Sequence, residues 1–156
     1  YFETKHLCPV TIKKRAVMKI ANLLFLGLFF GMHAMMGQET GELTVTVTNI
    51  SNNKGVIRVG LYDSESNWLD RIYEGRDGVI KDGKSTVTFS NIPYGTYGIS
   101  LFHDKNENGK LDLILGFMPK EDYGCSNGAK GRFGPPTWGD AKFTLNQKTI
   151  KQTIKL

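Results

Sequence analysis

Apolar and polar residues alternate along most of this chain, and this period of two constrains the fold more than any other feature. In the stretch "ELTVTVTN" a leucine and two valines alternate with three threonines, and "VIRVGLY" follows the same pattern. Such alternation is typical of β-strands with one buried face. The intervening "SNNKG" consists of turn-forming residues, so the sequence predicts that these two strands form a hairpin.

The alternation returns in four further segments, "STVTFS", "TYGISLFH", "AKFTL" and "QKTIKQTIKL". The helix candidate is a turn or two in "SESNWLDRI", where Ser64 can cap and Trp68, Leu69 and Ile72 can face a sheet. Six or seven short strands with one polar face each are what two packed sheets require. We therefore predict an all-β fold, a single antiparallel β-sandwich of about seven strands. Lys151 and Lys155 suit a final strand at a protected edge.

A basic and then apolar segment precedes this predicted domain. Lysines and an arginine lead into an apolar run from Ile20 to Gly37. This layout is typical of a secretory signal, with Gly37 as the predicted cleavage point, although an uncleaved run would also be long enough to span a bilayer. We expect residues 1–37 to be an N-terminal extension plus signal, with residues 1–17 before Met18 as upstream sequence. Residues 38–156 are then an exported domain, periplasmic or at the cell surface.

The basic charge of the chain belongs largely to its first 37 residues. Lys and Arg number 20 and Asp and Glu 15 in the whole chain, but from residue 38 onwards they number 15 and 14. A nearly neutral domain without a basic stripe gives no reason to propose nucleic acid as a partner. After signal cleavage we expect no membrane partner either. Cys125 is the one cysteine left in this part, so no disulfide within the domain is expected.

One long segment breaks the alternation. From Asp104 to about Asp140 the chain carries seven glycines and little periodicity. Loops longer than about 15 residues in a compact domain are usually functional or disordered. This Gly-rich loop contains apolar and aromatic side chains, including Phe117, Met118 and Tyr123, which disordered segments usually lack. We therefore expect a folded excursion at one end of the sandwich.

Three unusual segments of this part of the chain occur together in a known bacterial family. They are a "HD-x-N-x-N-G-x-LD" loop, a "P-x-E-x-Y-G" segment and a "GPP-x-(W/F)-x-D-A" segment, preceded by a "P-x-G-x-Y" turn. In these features residues 42–156 resemble the secreted family of domain of unknown function 2141. The resemblance implies a secreted or periplasmic β-sandwich of transthyretin-like or carboxypeptidase-regulatory-like type, and the strand pattern itself also suits an Ig-like sandwich. It implies no particular activity.

The stretch "HDKNENGKLD" has the spacing of a calcium loop. Calcium loops of the EF-hand type take oxygen ligands from positions 1, 3, 5, 7, 9 and 12, with glycine at position 6. The corresponding residues are Asp104, Asn106, Asn108, Lys110 through its backbone, and Asp112. Position 12 is Leu115, so a site would be weak, about 0.1 to 1 mM, unless Glu121 or Asp122 adds a ligand. The alternative is a plain turn, since Asp and Asn bond their own backbone. Zinc is not expected.

A second candidate site is aromatic. Phe133 and Trp138 flank the extended Pro135–Pro136 segment, and together with Tyr123 they can form an apolar platform for a glycan or a protein ligand. The alternative is that these rings cover the end of the sandwich.

Catalytic chemistry has little support in the sequence. A Cys125 thiolate with His103 as its base lacks a third orienting group, and a structural histidine is the better interpretation of His103. We therefore expect an exported, non-catalytic module with a binding or structural role, which calcium would stabilise if the loop is a metal site. The alternative is a hydrolase that uses His103 and the carboxylates of Asp104, Asp112 or Asp140. The sequence makes no prediction of the oligomeric state.

Overall fold

The computed structural model describes residues 38–131 and 134–156. The predicted signal run, its cleavage point at Gly37, Met18 and Phe133 lie outside the described residues. Residues 38–156 form a compact unit. Its strands are β1 (Thr40–Thr48), β2 (Val56–Tyr62), β3 (Glu74–Gly78), β4 (Ser85–Pro93), β5 (Gly95–Asp104), β6 (Leu113–Ile114), β7 (Met118–Pro119), β8 (Tyr123–Cys125), β9 (Phe143–Leu145) and β10 (Thr149–Lys155), and the helical turn α1 (Trp138–Ala141) precedes β9.

The strands form two main sheets around one core. One sheet has the order β10-β1-β4, and the other has the order β3-β2-β5-β8, with β9 also paired to β5. Apolar side chains of both sheets form a single buried cluster, which includes Leu43, Val45, Ile57, Phe89 and Ile99. The predicted all-β, sandwich-like fold is therefore confirmed.

Burial follows the alternation of the sequence. Leu43, Val45 and Val47 of β1 are at most 1% exposed, whereas the threonines between them are partly exposed. β2 repeats this arrangement with Ile57 and Leu61 facing the core. Successive strand residues point to opposite faces, so each strand buries one face and leaves the other outward.

The predicted hairpin between β1 and β2 is wrong. β1 pairs with β4 and β10, whereas β2 pairs with β3 and β5 in the opposite sheet. The segment at 49–55 therefore crosses from one sheet to the other instead of turning back. Both strands bury alternate residues in the same core, and alternation does not say from which side a strand faces that core.

The last strand lies at an edge, as predicted, but it runs parallel to its neighbour. β10 pairs with β1 alone, with Leu43 opposite Ile150 and Val47 opposite Ile154. The other pairs between named strands are antiparallel. Lys151 and Lys155 are exposed on this edge strand, where charged side chains oppose pairing with another chain.

The Gly-rich loop is folded into short elements. It contains the small hairpin β6–β7, the strand β8, which extends the second sheet, and α1. The helix candidate after β2 is a 3-10 turn at Glu65–Asn67, and Ser64 makes no capping bond through its side chain. Within the described ranges, helices are too short or too polar to serve as membrane spans.

Candidate functional site

Small residues form the centre of the outward face of the β3-β2-β5-β8 sheet. Gly60 of β2 stands opposite Gly75 of β3 and opposite Ser100 of β5. These positions alternate with the core residues Val59 and Leu101, so they face away from the core. By contrast, β1 carries threonines on the outward face of the other sheet. Gly60, Gly75 and Ser100 contribute no bulky side chains, and the second sheet has a depression of about 430 Å³ there, which Tyr62 and Ile72 border.

Two tryptophans close one end of this depression. The rings of Trp68 and Trp138 meet edge to face at 5.7 Å, and Tyr62 packs on Trp68 at 5.1 Å. Both indoles lie over Gly98, where an added Cβ would stand 2.8 Å from each of them. The Trp68 Nε1–H donates to the carbonyl oxygen of Pro136 at 2.8 Å, which fixes the Pro-rich segment against the sheet.

The other end is closed by an ion pair under the start of the Gly-rich loop. Asp104 at the end of β5 has no exposed surface, and its Oδ2 accepts a hydrogen bond from Arg58 Nε at 2.5 Å. Arg58 also binds the exposed Asp77 of β3 at 3.0 Å. Burial opposes ionisation of Asp104, but the Arg58 hydrogen bond and the backbone N–H groups of Gly109 and Asn108 outweigh it and lower its pKa.

The loop brings its predicted metal ligands together through hydrogen bonds. Asn106 and Asn108 donate through their side-chain amides to the two oxygens of Asp112 at 3.0 and 2.9 Å. Their own oxygens accept from the backbone N–H groups of Asn108 and Lys110. Glu121, 6% exposed, accepts from the backbone N–H groups at positions 105 and 112, which closes the loop. The result is a turn in which the carboxylates of Asp104, Asp112 and Glu121 all have donors.

This arrangement only partly fits calcium. Asp104, Asn106, Asn108 and Asp112 belong to one connected network of hydrogen bonds. Yet Asp112 faces two amide nitrogens, and Asp104 faces the guanidinium of Arg58, whereas calcium requires oxygen ligands. Among residues 38–131 and 134–156, no group of three or more His, Cys, Asp or Glu side chains is placed to hold a metal ion.

An apolar cleft lies beside this depression, over β5 and β8. It encloses about 740 Å³, which is within the range of small-ligand pockets. Ser100, Phe102 and Cys125 of β5 and β8 are at its floor, and its walls come from Leu69, from the β6–β7 hairpin and from the Pro135–Pro136 segment. Both proline peptide bonds are trans.

The predicted aromatic platform is only partly present at this cleft. Tyr123, 40% exposed, lines it. Trp138 is 9% exposed and packs on Trp68 and Gly98, so it covers the sheet and offers no open ring face, which corrects the platform interpretation for this residue. Phe133 lies outside the described residues.

The structure separates the predicted catalytic groups. His103 is fully buried on the core side of β5, and its Nε2 donates to the carbonyl oxygen of Lys54 at 2.7 Å. Asp104 and Cys125 belong to the opposite, outward face. Burial raises the pKa of the Cys125 thiol, which opposes formation of a thiolate. His103 therefore has the structural environment that the sequence predicts, and it does not form a pair with Cys125.

Sequence reasoning missed the small residues on the outward face of the second sheet. Ser100 lies at the cleft floor, whereas Gly60 and Gly75 line the neighbouring depression over β2 and β3, and all three are recognisable only as small residues at outward positions. The apolar run "LILGFMP" is a clearer signal, because five of its side chains are 47% to 85% exposed in the hairpin and its turn.

Comparison with known proteins identifies a family. A bacterial family model, described as "Uncharacterized protein conserved in bacteria (DUF2141)", matches residues 45–153. No curated protein and no solved structure gives a significant match, so the likeness to transthyretin-like sandwiches stays a prediction. Because the match spans both sheets, the Gly-rich loop and more than half of the chain, the protein belongs to the bacterial family of domain of unknown function 2141.

Proposed function

We propose that residues 38–156 are an exported, non-catalytic binding module whose ligand site is the apolar cleft on the second sheet. The observation that carries the proposal is a concave cleft of about 740 Å³ with Ser100, Phe102 and Cys125 at its floor and with apolar walls. Largely preformed apolar pockets with a few polar groups are the usual form of binding sites.

A protein ligand fits this cleft better than a glycan. The cleft walls are mainly apolar, and the stacking surface expected of Trp138 is buried. Sugar hydroxyls require hydrogen-bonding partners, and only a few polar side chains, such as Ser100 and Tyr123, line the cleft. We therefore propose an extended, apolar peptide segment of a partner protein as the ligand.

Export is supported by the sequence of the first 37 residues. The basic start and the apolar run from Ile20 to Gly37 have the layout of a secretory signal. We propose a periplasmic or cell-surface location for the domain.

The hydrolase alternative gains no support from the geometry. His103 and Asp104 follow each other in β5, so their side chains are on opposite faces of the sheet. His103 is fully buried in the core, and the Asp104 carboxylate already binds Arg58 and two backbone N–H groups. Asp140 binds Thr137 at the start of α1, which is a capping interaction.

Weak calcium binding by the loop is a second proposal. It is supported by the connected network of Asp104, Asn106, Asn108 and Asp112. Calcium would have to replace donors that already satisfy these groups, including Arg58. This competition, together with the leucine at the twelfth position, is why we propose an affinity of only about 0.1 to 1 mM.

A peptide library displayed on phage tests the cleft proposal. We expect the domain to select peptides with apolar residues, and the recovered peptide to bind one to one in a calorimetric titration. Ser100→Phe fills the floor and should abolish binding, and Leu69→Asp in the wall should weaken it. Thr88→Phe is the matched control, since Thr88 is exposed on the outward face of the other sheet.

Two results would count against the proposal. One is a selected peptide whose affinity is unchanged by both Ser100→Phe and Leu69→Asp. The other is an empty selection accompanied by a saturable hit on a glycan array that Ser100→Phe removes, which would replace the protein ligand with a glycan.

A further inference from the structure

The depression over β2 and β3 is a second concave region next to the proposed ligand site. It encloses about 430 Å³. Ser100 and Phe102 line both the apolar cleft and this depression, so the one opens directly into the other. Neighbouring strands lie about 5 Å apart, so a peptide in the cleft over β5 and β8 is within about 5 to 10 Å of the depression. A side chain of that peptide can therefore enter it.

Tyr62 places an unused polar group in the depression. The residue is only 7% exposed, and its hydroxyl lies 3.3 Å from the position that a Cβ on Gly60 would take on the outward face. Within the described residues this hydroxyl forms no hydrogen bond. Burial raises the pKa of Tyr62, so its proton stays on the oxygen at neutral pH. A buried tyrosine hydroxyl usually has a partner, which indicates that a ligand supplies one here.

Carboxylates outnumber guanidinium groups at the depression. Arg58 forms ion pairs with both Asp77 and Asp104, and the other arginine of the depression, Arg76, forms one with Glu74. Three carboxylates and two guanidinium groups leave a surplus of one negative charge. The Asp104 side chain has no exposed surface, whereas that of Asp77 is 56% exposed. The surplus charge is therefore accessible to a ligand at Asp77.

The segments around the depression do not cancel this charge. Residues 63–73, which border it through Ile72, contain three carboxylates and one arginine. Residues 105–112, which border it through Gly109, contain two lysines and two carboxylates. Charge complementarity therefore favours a cation in the depression over an anion.

The shape of the depression suits a long side chain with an apolar stem. Tyr62, Ile72 and Phe102 supply apolar surface around it, and an added Cβ at Gly75 would have no contact closer than 3.9 Å. Lysine and arginine bury their aliphatic stems along such surface while their charged ends stay in a polar environment.

We propose that the peptide bound in the cleft carries a lysine or arginine whose side chain enters the depression, with its charge beside Asp77. The stem lies beside Tyr62 and Ile72, and the Tyr62 hydroxyl binds a polar group of the peptide. This inference rests on the proposed peptide ligand, and it makes Asp77 the residue that selects the peptide.

Two displayed peptide libraries test the inference, one with all residues and one without lysine and arginine. We expect residues 38–156 to recover peptides from the first library that have one basic residue at a fixed distance from apolar residues. The second library should give much weaker binders. Replacing the basic residue of a recovered peptide with glutamine should weaken its binding in a calorimetric titration by about tenfold or more.

Variants of the domain test the role of Asp77. Asp77→Asn should weaken the basic peptide and leave the glutamine peptide unchanged. Asp77→Lys should reverse the preference, so that a peptide with glutamate at the same position binds better than the original. Glu42→Lys is the matched control, because Glu42 is exposed on β1 in the other sheet. Melting temperatures should show that all these variants are folded.

The Tyr62 hydroxyl and the open floor at Gly75 have their own variants. Tyr62→Phe keeps the ring, removes one hydrogen bond and should weaken the peptide by about fivefold. Gly75→Leu fills the depression and should remove the preference for a basic residue, because the long side chain no longer fits.

The outcomes separate this inference from the cleft proposal. Leu69 lines the cleft alone and has φ 61°, which asparagine tolerates, so Leu69→Asn changes only the cleft. Recovered peptides that need Leu69 but bind equally well with glutamine would overturn the inference and leave the cleft proposal standing. A basic peptide that needs Asp77 but not Leu69 would overturn the cleft proposal and the shared occupancy. Two empty selections would count against both.

Discussion

At the scale of single residues, Arg58 and Asp104 order the start of the Gly-rich loop. The Asp104 side chain has no exposed surface, and its oxygens accept from Arg58 Nε and from the backbone N–H groups of Asn108 and Gly109. The Arg58 side chain is 31% exposed and also binds Asp77. If Asp104 were removed, the Arg58 guanidinium would still be hydrated and still bound to Asp77. Loss of the cation should therefore cost more stability than loss of the anion.

Two variants test this asymmetry. Arg58→Met leaves the buried carboxylate of Asp104 without its cation and should lower the free energy of unfolding by about 3 kcal/mol. Asp104→Asn removes a charged hydrogen bond and should cost about 2 kcal/mol. Denaturant unfolding measures both, with the exposed Asp70→Asn as a control that should change stability by less than about 0.5 kcal/mol. Equal, small effects of the first two variants would contradict a structural role for the pair.

The contribution of Asp104 should also depend on pH. Its pKa is lowered in the folded domain, whereas an unfolded aspartate titrates near pH 3.9. The unfolded chain therefore binds the proton first as the pH falls, so this stabilisation is full above about pH 4 and is lost as the pH falls through the folded pKa. We expect the stability difference between wild type and Asp104→Asn to shrink below about pH 4 in urea titrations. A difference that is constant throughout the acid range would contradict the lowered pKa.

At the scale of elements, the Gly-rich loop is tied to the second sheet at both of its ends. The Asp104 network holds the first end, and the contact of Trp68 with Pro136 and Trp138 holds the other. The sequence predicts the folded excursion from the apolar and aromatic residues of the loop, of which Trp138 is buried in the structure. The sequence does not determine whether these Asp and Asn side chains bind a metal. Calcium requires oxygen ligands, and each Asn side chain can turn either its oxygen or its nitrogen towards the site.

Calorimetric titration of calcium into residues 38–156 tests the metal proposal for this loop. We expect a one-to-one heat with an affinity of about 0.1 to 1 mM and a rise in melting temperature at saturation. Asp112→Asn should abolish the heat, whereas Glu107→Gln in the same loop should retain it, since Glu107 is exposed and is not at a ligand position. No heat up to about 10 mM calcium would mean that the loop is only a hydrogen-bonded turn.

The packing of the tryptophans on β5 makes a separate prediction. An added Cβ at Gly98 would stand 2.8 Å from ring atoms of both Trp68 and Trp138, so at least one ring must move. Gly98→Ala should cost about 1 to 3 kcal/mol and change the near-ultraviolet circular dichroism. Gly75→Ala on the same face is the control, because its Cβ would have contacts at 3.9 Å. Equal stability of the two variants would show that the rings are not closely packed there.

At the scale of the whole molecule, alternation predicts which side chains face the core but not how the strands are arranged. Leu43 and Ile57 are both buried as expected, yet their strands belong to opposite sheets. The parallel pairing of β10 with β1 likewise depends on long-range contacts that a local pattern does not contain. The cleft was missed because Ser100 at its floor is recognisable only by its lack of bulk, and other lining residues, such as Leu69 and Pro136, are far apart in sequence.

The measurement that tests the central claim most directly is a titration of residues 38–156 with anilinonaphthalene sulfonate, followed by energy transfer from tryptophan. The chain contains two tryptophans, and Trp68 binds Pro136 in the cleft wall, so a probe in the cleft should quench their emission. We expect saturable one-to-one binding that Ser100→Phe abolishes and that Thr88→Phe retains. Absence of saturable binding by the folded wild type, or equal loss in Ser100→Phe and Thr88→Phe, would contradict a ligand site at the cleft.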